Sequence, residues 1–214
     1  MLERKPWELW NISREKFDEF YGNLLERQKY VPNVGDPAPH FEAERLDANG
    51  NRTGESFKFT GEEGRPVAFV FGSYTWPPFR DDAVRINNIY NTYKNNIDFY
   101  CVYVKEAHPE DNIGGYQTKP NIDEGIIVNQ HTNIEERAEV AQVCMLRMNL
   151  EMPMVLDDMD DTAEKSYVAY PDRLYLVGAD GCVAYRSEVG PDGFILDDWE
   201  GAIKALLAGK IAAE

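Results

Sequence analysis

The residues with the clearest chemical consequence lie in Phe69-Val-Phe-Gly72-Ser73-Tyr74-Thr75-Trp76-Pro77-Pro78-Phe79-Arg80, where a hydrophobic strand ends in a turn ahead of a helix. Such a turn suits a redox nucleophile. The attacking species is a thiolate or selenolate, and the unpaired N–H groups and dipole of a helix N-terminus stabilise it. The turn itself holds no cysteine, and the residue just ahead of its two prolines is Trp76, whose indole has no comparable lone-pair reactivity. The 3 cysteines, Cys101, Cys144 and Cys182, form neither a CxxC nor a zinc spacing. An odd, sparse set suits a reducing compartment. Met145, Met148 and Met152 recur at helical spacing beside Cys144, and thioethers can ligate Cu(I), but gap filling in a core or a dimer contact explains them more simply. Asp157, Asp158, Asp160 and Asp161 lack the alternating ligands and distal Glu of a Ca²⁺ loop, and read as a solvated turn with one capping Asp. No metal site is expected.

The elements that must position these residues follow from periodicity. Phe17, Phe20, Tyr21, Leu24 and Leu25 predict an amphipathic helix over Asn11–Tyr30 whose apolar face has to pack somewhere. Val31-Pro-Asn-Val-Gly-Asp-Pro-Ala-Pro39 ends it, giving a helical extension over 1–30 and one main domain over 31–214. Pro66–Phe71 is a continuous apolar run, as in a parallel strand buried on both faces. A helix over 81–95, with Ala83, Ile86, Ile89, Tyr90 and Tyr93 inward, leads to a strand over 97–104. Residues 112–128 are polar and contain glycine, and predict a long loop over the site. A helix over 134–149, a strand over 154–156 and a helical segment over 162–169 follow. A hairpin then pairs 173–177 with 183–186, and a helix over 197–208 comes last. The order predicts an α/β domain with a central mixed sheet flanked by helices.

The loop from Gly72 to Phe79 resembles the active-site loop of the iodothyronine deiodinase family, which reads Gly-Ser-Cys-Thr-Sec-Pro-Pro-Phe in vertebrates and usually carries Cys at the Sec position in bacterial relatives. Asp98-Phe-Tyr-Cys-Val-Tyr-Val-Lys-Glu106-Ala-His108-Pro109 is similar to the family strand ending in Glu-Glu-Ala-His. Asn129-Gln-His131-Thr-Asn-Ile-Glu-Glu-Arg137 is similar to its His-containing helix start. Val155-Leu-Asp157-Asp-Met and Ala169-Tyr-Pro171-Asp-Arg173-Leu-Tyr175 resemble its last βα unit and hairpin. Separately, Val34-Gly-Asp-Pro-Ala-Pro-His40-Phe41 and Leu46-Asp-Ala-Asn-Gly50 look like the first hairpin of peroxiredoxin and TlpA-type proteins.

The resemblance implies a thioredoxin-like fold and either reductive dehalogenation or thiol redox chemistry on a phenolic or aromatic substrate, driven by an external thiol with no cofactor. Trp76 stands at the Sec or Cys position, and Tyr74 replaces the neighbouring Cys. Either the chalcogen has been lost naturally or an original Cys or Sec has been altered. By the same resemblance His108 and Arg173 face the substrate with Tyr74, Thr75 and Phe79. Glu106 holds the tautomer of His108, His131 relays protons, and the two histidines line one pocket with Arg173. Cys144 sits where some thioredoxin-like proteins keep a resolving thiol, although its apolar neighbours mark a core cysteine. The rival reading is a redox-inactive module that binds an aromatic acid on Trp76, Pro77, Pro78 and Phe79, with His108 and Arg173 as polar anchors, or that binds a protein partner.

Composition narrows the partners. With 38 acidic and 22 basic residues the formal charge is −16, which repels nucleic acid and anionic membrane surfaces. No apolar run approaches the roughly 20 residues that span a bilayer, and no signal-peptide pattern opens the chain. The expectation is a soluble, cytoplasmic protein, with a homodimer through the N-terminal helix open.

Overall fold

The computed structural model describes residue 7 and residues 13–111 and 117–209. Among them β1 (Phe41–Leu46), β2 (Arg52–Phe59), β3 (Val67–Gly72), β4 (Asp98–Tyr103), β5 (Met154–Leu156), β6 (Arg173–Val177) and β7 (Val183–Arg186) form one sheet in the order β2-β1-β5-β4-β3-β6-β7. The central strands β3, β4 and β5 run parallel. The hairpins β1–β2 and β6–β7 close the two sides antiparallel.

The unbroken apolar run of β3 is buried at every residue because both faces of the sheet are covered. Ala68 and Val70 pack with Ile86, Ile89 and Trp199 on one face. Phe69 and Phe71 join an aromatic layer with Phe41, Phe59, Tyr167 and Tyr175 on the other. There Phe59 meets Phe69 edge to face at 5.0 Å, and Tyr167 meets Tyr175 at 4.8 Å. The same alternation divides β6, with Leu174 and Leu176 on the first face and Tyr175 and Val177 on the second.

Helix α1 (Arg14–Arg27) starts at Ser13, whose hydroxyl accepts from Lys16 N, so residues 11 and 12 of the expected helix lie outside the described residues. Only part of its apolar face packs, with Leu24 buried and Tyr21 and Leu25 exposed. The helix expected over 81–95 is two helices, α2 (Pro77–Asp81) and α3 (Ala83–Tyr93), separated at Asp82. It begins earlier than its apolar period because Pro77 and Pro78 occupy the first turn, where a missing N–H costs nothing. The expected loop over 112–128 contains α4 (Lys119–Glu124), capped by Thr118 and ended by Gly125 at φ 69°. Polar composition hid this turn of helix.

Helix α5 (Ile134–Arg147) follows, then α6 (Thr162–Tyr167) and α7 (Leu196–Leu207). The aspartates before α6 are a solvated, capping turn only in part: Asp160 is exposed and Asp158 caps Thr162, but the other two are engaged inside. Asp157 is fully buried and accepts from Ala163 N (2.8 Å) and Glu164 N (2.9 Å), and Asp161 pairs with Arg137. Met145, Met152 and Met154 are core residues. Among the described residues no helix is long and apolar enough to cross a membrane.

Strand β3 has to end in glycine. A Cβ on Gly72 would come within 2.7 Å of the Phe79 ring, so the turn into α2 closes only over a bare backbone. Gly72→Ala is expected to cost about 1–3 kcal/mol by overpacking. Chemical denaturation measures it, and an unchanged midpoint would contradict this packing.

Candidate active site

Trp76 is the N-cap of α2, with φ −93° and ψ 104°, and its N–H closes a turn on Ser73 O at 3.2 Å. Pro77 and Pro78 follow, so this helix start lacks two of the N–H groups that usually face an anion. The buried indole donates from Nε1 to Asp172 Oδ2 at 2.8 Å and lies 5.3 Å from the His108 ring at an interplanar angle of 31°. Asp172 Oδ1 accepts from Gly190 N at 3.0 Å, and a Cβ on residue 190 would approach that oxygen to 2.0 Å. Burial pushes Asp172 up to about 7, against the opposing hydrogen bonds from Trp76 and Gly190.

Beside this turn Glu106 gathers the donors. Its Oε2 accepts from Thr75 N (2.8 Å) and Thr75 Oγ1 (2.5 Å), and its Oε1 accepts from Tyr103 Oη. Tyr103 Oη in turn accepts from Tyr74 N at 3.1 Å. His131 Nε2 stands 3.4 Å from Glu106 Oε1, at ion-pair distance without hydrogen-bond alignment. Burial opposes the charge on Glu106, but His131, Thr75 and Tyr103 outweigh it and hold the carboxyl below its ordinary value. Burial, and then the Glu106 charge, keep the Tyr103 phenol protonated well above its usual range. The result is an ionised carboxylate, a protonated phenol and an imidazole in one buried group, an arrangement that can store and pass a proton.

Three further bonds fix the group against the turn. Thr75 Oγ1 accepts from His108 N (3.0 Å), Ser73 Oγ accepts from Ala107 N (3.2 Å), and Asn121 Nδ2 donates to Thr75 O (2.8 Å). The last bond ties α4 onto the loop that carries Trp76. Thr75→Val removes one donor to Glu106 and leaves the buried His108 N–H without its acceptor. It is expected to cost about 2–3 kcal/mol, checked by urea unfolding. A loss below about 0.5 kcal/mol, the size of an ordinary surface substitution, would contradict the role.

Not every expected site residue joins this group. His108, Glu106, His131, Tyr74 and Thr75 gather around the Trp76 turn. Arg173 does not: it falls on the aromatic face of β6, where its guanidinium donates to Ser187 O (3.0 Å) and to Gln28 Oε1. The two histidines therefore do not share a pocket with Arg173. Glu106 bonds Thr75 and Tyr103 and approaches His131, and Thr75 Oγ1, which donates to Glu106 and accepts from His108 N, links Glu106 to His108. Phe79 is fully buried under Gly72, so Trp76, Pro77, Pro78 and Phe79 make no open aromatic floor.

Cys144 is fully buried, bonded to Met148 Sδ at 3.2 Å, and burial pushes its thiol well up, away from the thiolate a resolving cysteine needs. Asp172, Tyr103 and Asn121 were missed. Strand alternation puts Asp172 on the face opposite Arg173, but which of the two faces meets the turn is not written in the sequence. Among the described residues no group of three His, Cys, Asp or Glu is placed to hold a metal ion.

The family model for iodothyronine deiodinase matches residues 11–204. Thyroxine 5-deiodinase of Ovis aries is 32% identical over 175 residues, covering 82% of this chain and 56% of that protein. The Gallus gallus enzyme is 30% identical over 179 residues, covering 84% and 65%. The chain thus spans about half to two thirds of the length of these curated relatives. Among solved structures, the thioredoxin domain of a thiol-disulfide oxidoreductase from Bacteroides vulgatus superposes with a TM-score of 0.53 at 16% identity, over 80% of this chain and 96% of that one. An uncharacterised conserved protein from Geobacillus kaustophilus gives 0.58 at 15% identity, over 84% of each chain. These structures show that the fold is thioredoxin-like.

Proposed function

This chain belongs to the iodothyronine deiodinase family, and on that premise we propose that position 76 is the family's reaction centre with its chalcogen replaced by tryptophan. The chain then keeps the acid–base half of a reductive dehalogenase without the nucleophile half. The observation that carries this reading is the juxtaposition at the turn. The Trp76 indole N–H is committed to Asp172, while the Glu106 carboxylate next to it accepts from Thr75 and Tyr103 with His131 at 3.4 Å.

With a thiolate at position 76 the chemistry balances. A sulfur–iodine bond forms as the carbon–iodine bond of an iodophenol breaks, and the ring carbon takes a proton relayed through Glu106 and His131. Two equivalents of external thiol then restore the protein thiol, releasing hydrogen iodide and one disulfide. Indole offers no sulfur to take the halogen, so the chain with Trp76 is silent in this step.

Two experiments test the reading. Iodide release from 2-iodophenol with dithiothreitol is expected from Trp76→Cys and not from the chain itself. The codon at position 76 in the native gene separates an inherited tryptophan from a selenocysteine codon decoded as tryptophan.

A further inference from the structure

A cavity of about 520 Å³, lined in part by Tyr170, lies between α1 and the residues that follow β4 and β5. Neither Trp76, His108 nor Arg173 lines it. Its volume falls in the range of roughly 300–1,000 Å³ typical of small-molecule sites. Leu24, Met159 and Tyr170 supply apolar wall, and Arg27, Lys105 and Arg137 supply charge.

Those three cations share two carboxylates. Arg27 and Lys105 meet Glu164, while Lys105 (3.1 Å) and Arg137 (3.0 Å) meet Asp161. The neighbouring Asp157 and Asp158 cap the first residues of α6 and do not line the cavity, whose walls carry these three cations and one carboxylate, Asp161. The His131 side chain, 1% exposed, also lines the cavity, and neither ring nitrogen has a hydrogen-bond partner. The Nε2 of this imidazole faces Glu106 at 3.4 Å, but its buried Nδ1 has no partner beside that cation surplus, which marks a place where a ligand's polar atom is missing. The surplus stands out in a chain of net charge −16, whose surface repels anions.

We propose that this cavity binds a small organic monocarboxylate with an apolar body, its carboxylate between Arg27 and Lys105 and its body against Leu24, Met159 and Tyr170. Lys105 already lies 5.3 Å from the Tyr170 ring centroid, so one charge and one aromatic face are presented together. Because α1 forms one wall, the ligand also holds that helix on the domain.

Isothermal titration calorimetry of the full chain with phenylacetate tests this. Sub-millimolar binding is expected, at least about tenfold weaker for the neutral analogue 2-phenylethanol and for Lys105→Met, and none for Met159→Trp, which fills the mouth. Trp76→Cys is expected to bind as the parent does, so failure here and failure of the reaction-centre reading are distinguishable. Absence of binding to the parent chain, or unchanged binding in both cavity variants, would overturn the proposal.

Discussion

Trp76→Cys is expected to gain a reactive thiol and to lose about 3–5 kcal/mol of stability, the usual cost of truncating a buried tryptophan. Two structural facts set the character of that thiol. Pro77 and Pro78 withhold two N–H donors at the start of α2, and the Asp172 carboxyl, which bonds the indole in the parent, is left facing the new thiol. Both oppose thiolate formation, so this cysteine is expected to titrate higher than a typical helix-N-terminal thiol. Adding Asp172→Asn removes the adjacent negative charge and is expected to lower the thiol pKa again. Thiol alkylation followed against pH, on protein shown folded by circular dichroism, measures the ordering. A thiol that titrates at the same pH with and without Asp172 would show that the carboxylate does not act on position 76.

Asp172 also predicts an unusual dependence of stability on pH. A carboxyl at about 7 in the folded protein and about 3.9 in the unfolded chain binds its proton more tightly when folded. Between those values the folded state holds more protons, so stability falls as the pH rises. The contribution is fully present below about pH 4 and lost once the pH passes about 7, and it amounts to about 4 kcal/mol. Glu106 works in the opposite sense. Its depressed pKa gives stability that is present above the ordinary carboxylate range and lost as the pH falls through its folded value.

Because the two groups oppose each other, the difference between the parent chain and Asp172→Asn isolates the first. The asparagine carbonyl still accepts from Trp76 Nε1, while Gly190 N–H loses its acceptor, a fixed cost that does not vary with pH. The parent's stability relative to this variant is expected to drop by about 4 kcal/mol from pH 4 to pH 8. Urea unfolding at stepped pH reads it directly. Parallel curves would mean that Asp172 is ionised throughout.

The legible parts of the fold were those in which one face differs from the other or both are uniformly apolar. The run before Gly72 could only be a central strand, and the hairpin around Gly178 to Gly181 was marked by its turn residues. The break at Asp82 was not legible, because the apolar period of α3 starts at Ala83 and the prolines before it read equally well as turn. The face of Arg173 was hidden for a different reason. Leu174, Tyr175, Leu176 and Val177 are all buried, so periodicity along β6 cannot say which parity meets the Trp76 side. Only pairing with β3, Phe71 opposite Arg173, decides it. The Trp76–Asp172 bond joins residues 96 positions apart and depends on that same parity. Glu106 and His131 were legible only through the deiodinase resemblance, since their meeting depends on where α5 starts beyond β4.

The most direct test compares dithiothreitol-driven iodide release from 2-iodophenol by the parent chain, Trp76→Cys and Trp76→Cys with Glu106→Gln. A complete acid–base group awaiting its nucleophile predicts background release from the parent and turnover from the single variant. Loss of Glu106 should then reduce that turnover by roughly 100-fold, the lower end of general acid–base contributions. Release from the parent as fast as from Trp76→Cys, or turnover indifferent to Glu106→Gln, would contradict it.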